Sequence, residues 1–403
     1  MLERTEYLKR LIAFRDQKII KVVTGVRRCG KSTLLALYRD YLISTGVEKA
    51  QIISINLEDM EYEALLDYKV LYNFVKDKLC ENKSTYVFID EVQNCKSFEK
   101  VVNSLFIKDN VDVYITGSNA YMLSGELATL LSGRYITIDM LPLSFKEYCQ
   151  AVPASNSSER EKFNDYLRFG SFPYAALLEQ NTAKIMPYLE GIYNTILIKD
   201  VAMRDGITDV SVLESIVKTL ASGIGSPISI NKIADTIQSS GRKISVNTVD
   251  AYVRALTDGY IFYKVDRYDI KGRQHLKTLG KYYIVDSGIR QMLLSQGSAD
   301  LGHLIENTVY LELRRRGFKV NVGKLELKEV DFVASGPEGL EYYQVAASVL
   351  DEKTLQRELE PLEKIGDHFP KVLLTLDDIG SGVNYNGIRH VNLLKWLLDS
   401  PLA

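Results

Sequence analysis

Short apolar runs alternate with longer segments of helical periodicity over residues 1–140. Four runs rich in Ile and Val have the length and composition of buried strands, and they cover residues 18–24, 51–56, 86–90 and 111–116. Between them, segments such as 32–43 and 69–80 repeat apolar residues at helical spacing. Strands that alternate with helices require crossover connections, so the pattern predicts an α/β domain with a mostly parallel sheet.

The pattern becomes mainly helical near residue 142 and changes again further along. The segment ASGIGSP at 221–227 interrupts the helical periodicity, and two short helices and a hairpin-like pair of strands follow it. The pattern therefore predicts four regions: an α/β core at 1–141, a helical region at 142–225, a helix-and-hairpin module at 226–290 and a small α/β domain at 291–403.

Composition and charge fit an ordinary globular protein. Of 403 residues, 46% are hydrophobic and 25% are charged, which argues against a disordered chain. The net charge of −2 gives no global basic field, so any binding to nucleic acid requires a local patch. No uncharged apolar run approaches the roughly 20 residues of a membrane span, and the four cysteines lack metal-ligand spacing. We expect a cytoplasmic protein with reduced thiols and no membrane partner.

A glycine-containing segment after the first predicted strand fits the phosphate-binding pattern G-x-x-x-x-G-K-[ST]. Its residues are Gly25, Val26, Arg27, Arg28, Cys29, Gly30, Lys31 and Ser32, and Thr33 follows them. Backbone N–H groups of such a loop, together with the start of the next helix, favour a bound phosphate. Lys31 is expected to reach the β- and γ-phosphates and Ser32 to bind Mg²⁺.

Two adjacent carboxylates end the predicted strand at 86–90. This strand would deliver Asp90 and Glu91 to the carboxyl edge of the sheet, where open α/β sheets bind their ligands. Asp90 suits the coordination of Mg²⁺, and Glu91 suits the polarisation of the attacking water. With a phosphate-binding loop about sixty residues earlier, the pair predicts a nucleotide site.

A third polar segment follows the predicted strand at 111–116. Either Ser118 or Asn119 is expected to lie between the two motifs and to hold the γ-phosphate or the water. The alternative is that this segment caps the next helix.

Four segments in this order resemble the AAA-type superfamily of bacterial and archaeal ATPases: GVRRCGKST, YVFIDEVQN, ITGSNAYML and LSGRYITIDMLPLSFKEY. The resemblance covers nearly the whole chain, including FGSFP and EVDFV. It implies ATP as substrate, ADP as product, and a helical lid at 142–225. It also implies an arginine that senses the γ-phosphate, and Arg134 is the matching position, unless it is only a solvated residue before a strand. A role in trans would require an oligomer.

The module at 226–290 has the order helix, turn, helix and β-ribbon, which resembles a winged helix. A first helix is expected at 231–238, and Ser245 caps a second one. Strands at 260–265 and 281–285 then enclose the basic loop KGRQHLK.

Local charge makes this module a candidate for binding double-stranded DNA. Between residues 226 and 280, nine Lys or Arg stand against five Asp, which gives +4, and the candidate contacts are Lys271, Arg273 and Lys277. The second helix, however, carries Asp250 and Asp258. Because winged helices also bind proteins, a protein partner remains an equal alternative.

The last region resembles the restriction-endonuclease-like nuclease fold. Glu306 on a helix and Asp331 on the second strand match the metal-binding acids of that fold, whose third strand carries Glu-x-Lys. Here the third strand has Gln344 and Ala346 instead, so the acid is an amide and the lysine is a methyl group. Gln344 can still offer an oxygen to Mg²⁺, and Lys353 could reach back from the next helix. We expect the fold without cleavage, in a domain that docks on DNA or on a partner.

Three functions remain open. The leading hypothesis is an Mg²⁺-dependent ATPase in which phosphate occupancy moves the lid, the winged helix and the last domain. The second is a switch that holds ATP, hydrolyses it negligibly and changes its affinity for DNA or a protein. The third is an ATP-regulated nuclease using Glu306, Asp331 and Gln344, against which the missing lysine argues.

Overall fold

The computed structural model of the protein describes residues 2–118, 131, 133–152, 157–239, 241–294 and 301–399, and at 277 and 278 the backbone alone. The chain divides into two compact units. One comprises residues 1–141 with 258–260, and the other comprises residues 142–257 with 261–403.

The first unit is built on a five-stranded parallel sheet. Its strands are β1 (Ile20–Thr24), β2 (Ile52–Asn56), β3 (Thr85–Asp90), β4 (Val111–Gly117) and β5 (Tyr135–Asp139). Their order is β2-β3-β4-β1-β5, and every neighbouring pair is parallel. This parallel sheet confirms the predicted α/β class. The predicted strands are continuous apolar runs because a parallel sheet is buried on both faces.

The helices of the first unit precede β1 or fill the crossovers of its sheet. They are α1 (Thr5–Ala13), α2 (Lys31–Ser44), α3 (Tyr68–Lys76) and α4 (Phe98–Phe106). Val22, Val87 and Ile115, from the three central strands, are completely buried in one core. Because these strands are parallel, the residues that follow β1, β3 and β4 all lie along one edge of the sheet.

The second unit begins with a helical region and contains most of the helices. In chain order these are α5 (Phe145–Ala151), α6 (Glu159–Phe169), α7 (Pro173–Leu177), α8 (Thr182–Thr195) continued by a π-helix (Ile196–Met203), α9 (Val210–Ser222), α10 (Ile230–Ser239), α11 (Val246–Asp258), α12 (Ser287–Leu294), α13 (Leu301–Arg315), α14 (Glu352–Glu363) and α15 (Leu393–Leu398). Ser144 and Ser158 start α5 and α6 with capping boxes. None of the helices in the described ranges is both long and apolar enough to cross a bilayer.

An eight-stranded mixed sheet completes the second unit. Its strands are β6 (Phe262–Asp269), β7 (Gln274–Ile284), β8 (Lys319–Leu325), β9 (Lys328–Gly336), β10 (Gly339–Val345), β11 (Lys371–Thr375), β12 (Asn384–Tyr385) and β13 (Ile388–Asn392). The order is β12-β13-β11-β10-β9-β8-β6-β7. Since β6 pairs with β8, the ribbon of the predicted winged helix and the strands of the last region belong to one sheet. The sheet therefore crosses the boundary predicted at 290/291.

The ribbon is longer than the sequence pattern suggested. The basic loop predicted at 271–277 is a turn at residues 271–273 only, because the antiparallel pairing resumes between Asp269 and Gln274. The register of the pair shifts between Val265 and Arg267, and beyond the shift the pairing continues to Asp269 and Gln274.

The FGSFP segment (residues 169–173) is hydrogen-bonded to Asp286 within the second unit. Asp286, completely buried before α12, accepts hydrogen bonds from Ser171 N at 2.6 Å and Ser171 Oγ at 3.0 Å. Gly170 has φ +80°, and an ideal Cβ there would lie 2.2 Å from Asp286 Oδ1. The glycine is required because a carboxylate occupies the space of a side chain.

Candidate functional site

The loop between β1 and α2 has a backbone that depends on its glycines. Gly25 has φ +143°, and an ideal Cβ would lie 2.1 Å from Met140 O. Gly30, immediately before α2, has φ +105°. Both conformations disfavour other residues, so the glycine spacing of the motif corresponds to a specific backbone path.

The Lys31 side chain is buried in this loop, and its ammonium group contacts the loop backbone. It is 4% exposed, and its Nζ donates to Gly25 O at 3.1 Å and Val26 O at 3.4 Å. The same Nζ is 3.5 Å from Glu91 Oε1. Lys31 therefore joins the loop after β1 to the carboxylate after β3.

The other loop residues differ in exposure. Val26 and Cys29 are buried, Arg28, Ser32 and Thr33 are exposed, and Arg27 forms an ion pair of 2.7 Å with Glu58. Burial raises the pKa of the Cys29 thiol, so the thiol stays protonated and inert at neutral pH. Ser32 presents its hydroxyl from the first turn of α2, where a metal ligand was predicted.

Arg4, which lies outside the motif and was not predicted as a site residue, supports the loop. Only 3% exposed, it donates from Nη1 to Cys29 O at 2.9 Å and from Nη2 to Leu141 O at 2.6 Å. No local pattern marks this residue, because its partners are 25 and 137 positions away. A guanidinium with several donors in a fixed plane can hold two backbone segments at once.

Asp90 and Glu91 lie at the carboxyl end of β3 and are linked through Thr116. The Thr116 hydroxyl donates to Asp90 Oδ1, and its oxygen accepts from Glu91 N at 2.9 Å. Thr116 lies on the neighbouring strand β4 and is completely buried. It precedes the polar segment noted in the sequence, but its bridging role depends on strand pairing.

Both the backbone and the side chain of Glu91 are constrained at the carboxyl edge of the sheet. Its φ is +51°, a left-handed conformation that costs a non-glycine residue about 1–3 kcal/mol. Gln93 Nε2 donates to Glu91 Oε2 and, at 3.2 Å, to Ser118 Oγ. Burial by itself raises the pKa of Glu91, but Lys31 and the hydrogen bond from Gln93 lower it more, so the net pKa lies below its ordinary value. Glu91 is therefore ionised at neutral pH and can accept a proton.

The structure brings Ser118 into this network, whereas Arg134 lies apart from it. Asn119 lies outside the described residues. Arg134 precedes β5, whose Tyr135 is paired with Ile20 at the start of β1, while the phosphate loop follows the end of β1. A strand of this length spans roughly 15 Å. Arg134, exposed and stacked on Phe106, is thus not brought together with Lys31 of the same chain.

The basic residues predicted for DNA binding lie on the ribbon. Lys271 and Arg273 are exposed in the turn, and Lys271 Nζ is 3.1 Å from Glu326 Oε1 in an exposed ion pair. Lys277 belongs to β7, but its side chain lies outside the described part of the structure. An exposed pair contributes at most about 1 kcal/mol, so Glu326 does not prevent Lys271 from contacting a phosphate.

Another buried lysine lies among the residues predicted as a vestigial nuclease site. The predicted residues are Glu306 of α13, Asp331 of β9 and Gln344 of β10, and Lys281 of β7 pairs with the first of them. Its Nζ is 2.9 Å from Glu306 Oε1 and 2.7 Å from Glu329 Oε1. Burial by itself lowers the pKa of Lys281, but these carboxylates and Asp331 raise it above its ordinary value. The predicted alternative, Lys353, is exposed on α14.

Comparison with known proteins supports the arrangement in the first unit. Residues 17–149 match the family described as an AAA domain, and residues 160–300 match a domain of unknown function. An uncharacterized protein of Haemophilus influenzae is 38% identical over 402 residues, which covers 99% of both chains. An uncharacterized protein of Methanocaldococcus jannaschii is 32% identical over 365 residues, covering 86% of this chain and 78% of its own.

One solved structure shows the same fold. It is described as a Walker-type ATPase of Pyrococcus abyssi, is 16% identical and has a TM-score of 0.51. The similarity covers 73% of this chain and 96% of that one.

Proposed function

The chain belongs to the family of AAA-type P-loop ATPases, and we propose that it hydrolyses ATP to drive a conformational change that controls binding to DNA. It shares this family with its relatives from Haemophilus influenzae and Methanocaldococcus jannaschii. One observation carries this proposal. Lys31 of the phosphate loop and Glu91 at the end of β3 lie 3.5 Å apart on one edge of a parallel sheet. A phosphate-binding cation and a candidate general base are thus assembled within one unit.

The residues around the loop suit a nucleotide with Mg²⁺. Within the described ranges, the Lys31 ammonium contacts backbone carbonyls at 3.1–3.4 Å and one carboxylate, which incoming β- and γ-phosphate oxygens can replace. Ser32 and Asp90 supply a hydroxyl and a carboxylate, the oxygen donors that Mg²⁺ prefers. When bound, Mg²⁺ would neutralise phosphate charge.

Glu91 is the residue we assign to activation of the attacking water. Its lowered pKa keeps it ionised, and its hydrogen bonds to Gln93 and Thr116 fix its backbone and side chain. A general base must accept a proton within hydrogen-bond reach of water, and the contact with Lys31 occupies one of its oxygens. Binding of phosphate to Lys31 would release that oxygen.

Arg134 acts, in this proposal, on the nucleotide of a neighbouring subunit. It lies at the edge of the sheet opposite to its own phosphate loop, so a contact with its own nucleotide would require a large rearrangement. A second chain that presents Arg134 to the loop of the first would supply positive charge to the transition state. We therefore propose an oligomer as the active form.

The decisive experiment compares steady-state ATP hydrolysis by the wild-type protein and Glu91→Gln, with and without duplex DNA. We expect the variant to retain nucleotide and to lose about 100-fold or more in turnover, because a positioned base contributes roughly 10²–10⁴-fold. Glu48→Gln is the matched control, since Glu48 is an exposed surface carboxylate. Unchanged turnover in Glu91→Gln would refute the assignment of the base.

The same experiment tests a second function, a switch that holds ATP with negligible hydrolysis. The observation that favours it is the pairing of Glu91 with Lys31 and Gln93, which occupies both carboxylate oxygens of the candidate base. Tight nucleotide binding without turnover, in the presence and absence of DNA, would support the switch. Turnover that rises with DNA would support the DNA-coupled ATPase.

A further inference from the structure

The second unit contains a cluster of carboxylates around a buried lysine, in which Glu306 is buried and Glu329 is half-buried. Lys281 is 3% exposed, and Glu306 and Glu329 approach its Nζ from α13 and β9 at 2.9 and 2.7 Å. Tyr283, on the same strand as Lys281, donates its hydroxyl to Glu306 Oε1 at 2.6 Å. One oxygen of Glu306 therefore accepts two hydrogen bonds from β7.

The protein backbone closes the other side of Glu306. An ideal Cβ added at Gly225 would lie 3.2 Å from Glu306 Oε2 and 3.1 Å from His303 Cδ2. Glycine is the residue that permits this approach. The carboxylate is thus packed between β7 and the segment before α10.

The two remaining residues of the predicted nuclease site are hydrogen-bonded to the protein. Asp331 Oδ2 accepts from Val345 N at 2.9 Å. Gln344 Oε1 accepts from Asp331 N at 3.3 Å, and its Nε2 donates to Glu358 Oε2 at 2.8 Å. The oxygen that Gln344 was predicted to offer to Mg²⁺ therefore faces a backbone amide.

The arrangement of donors does not match a metal cage. Within the described ranges, no three or more His, Cys, Asp or Glu side chains are grouped so as to hold a metal ion. The buried carboxylate of Glu306 nevertheless needs a cation, because an unpaired buried charge is strongly destabilising. The cation paired with it is the ammonium group of Lys281.

We propose that the Lys281 ammonium group takes the place of a metal ion in this carboxylate cluster and supplies its positive charge. The cluster is then a structural brace that needs no metal. Two of the ammonium donors are held by Glu306 and Glu329. A divalent cation entering the cluster would meet a like charge. The brace ties the ribbon strand β7 to α13 and β9, and the ion pairs leave Lys281 without the freedom to activate water.

Thermal unfolding of nucleotide-free, EDTA-treated protein, with and without added Mn²⁺, tests this inference. We expect no response of the wild-type protein to Mn²⁺. We expect Lys281→Met to lower the Tm by about 5 °C or more, because it leaves the buried carboxylate of Glu306 without a counter-ion, and to gain stability on addition of Mn²⁺. Lys83→Met, at an exposed surface lysine, is the control for the loss of a charge.

The double variant Lys281→Met/Glu306→Gln removes both partners of one ion pair. We expect it to be more stable than Lys281→Met and to respond less to Mn²⁺. If Lys281→Met does not fold, recovery in the double variant supports the inference and failure to recover contradicts it.

Two results would overturn the inference. One is saturable stabilisation of the wild-type protein by Mn²⁺ that Asp331→Asn abolishes. The other is Mn²⁺-dependent cleavage of plasmid DNA that the same substitution removes, which would make Lys281 part of an active nuclease site.

Discussion

Two of the buried lysines, Lys31 in the first unit and Lys281 in the second, differ in how far their partners leave the ammonium group available to a ligand. Lys31 and Lys281 are 4% and 3% exposed. The Lys31 ammonium contacts two backbone carbonyls and one carboxylate at 3.1–3.5 Å. The Lys281 ammonium contacts two carboxylates at 2.7–2.9 Å.

The difference lies in how completely each charge is compensated. A carbonyl oxygen carries only a partial charge, so phosphate oxygens compete well for Lys31. Two carboxylates at short distance hold Lys281 in place, and a second cation or an anion gains little there. Burial alone therefore does not identify a functional lysine, and the number and charge of its partners do.

The largest effect is expected when Lys31 is replaced. We expect Lys31→Ala to weaken ATP binding by at least about 100-fold, or about 2.8 kcal/mol, because the principal cation for the β- and γ-phosphates is lost. Titration with a fluorescent ATP analogue measures the loss. Lys83→Ala removes an exposed lysine of the same unit and serves as control. Equal affinity of Lys31→Ala and wild type would contradict the proposed site.

An intermediate effect is expected at the glycine that shapes the loop. Gly25→Ala places a Cβ 2.1 Å from Met140 O at φ +143°, so we expect a loss of about 3 kcal/mol in the free energy of unfolding. Gly46→Ala is the matched control, because Gly46 has φ +97° and no atom within 4 Å of an added Cβ. There the strain alone should cost about 1 kcal/mol. Similar losses in urea denaturation would show that the close approach to Met140 is unimportant.

The smallest expected effect is a contrast in pH dependence between the two sites. The pKa of Glu91 is lowered, so its contribution to stability is present above pH 4.5 and is lost as the pH falls through the folded-state pKa. The pKa of Asp331 is raised by burial and by Glu306, so its ionisation costs stability as the pH rises above 3.8.

Urea denaturation at several pH values measures this contrast. The stability difference between wild type and Glu91→Gln should shrink on acidification from pH 7 to below 4.5. Relative to wild type, Asp331→Asn should become more stable as the pH rises above 3.8. Slopes of the same sign for both variants would remove the contrast.

The parallel sheet and the phosphate loop could be predicted because their signals are local. Strands β1 to β4 lie within about two residues of the predicted runs. The glycines at 25 and 30 predict a phosphate-binding loop, which requires a strand before it and a helix after it. The structure has β1 before the loop and α2 after it. The carboxylates at 90 and 91 follow a buried strand, and parallel pairing places that strand end beside the loop.

The remaining parts of both sites depended on contacts between distant positions. Arg4, Thr116 and Gln93 hold the loop and its carboxylates, but their residue types are too common to mark them in a sequence. Lys281 was not predicted, because the nuclease pattern looks for a lysine on the third strand, whereas the fold brings one from β7. The sequence by itself determined the strand periodicity, the loop glycines and the paired acids, since each depends on neighbouring residues alone. Only the tertiary structure decided which charges meet, because register and crossovers set the distances between segments.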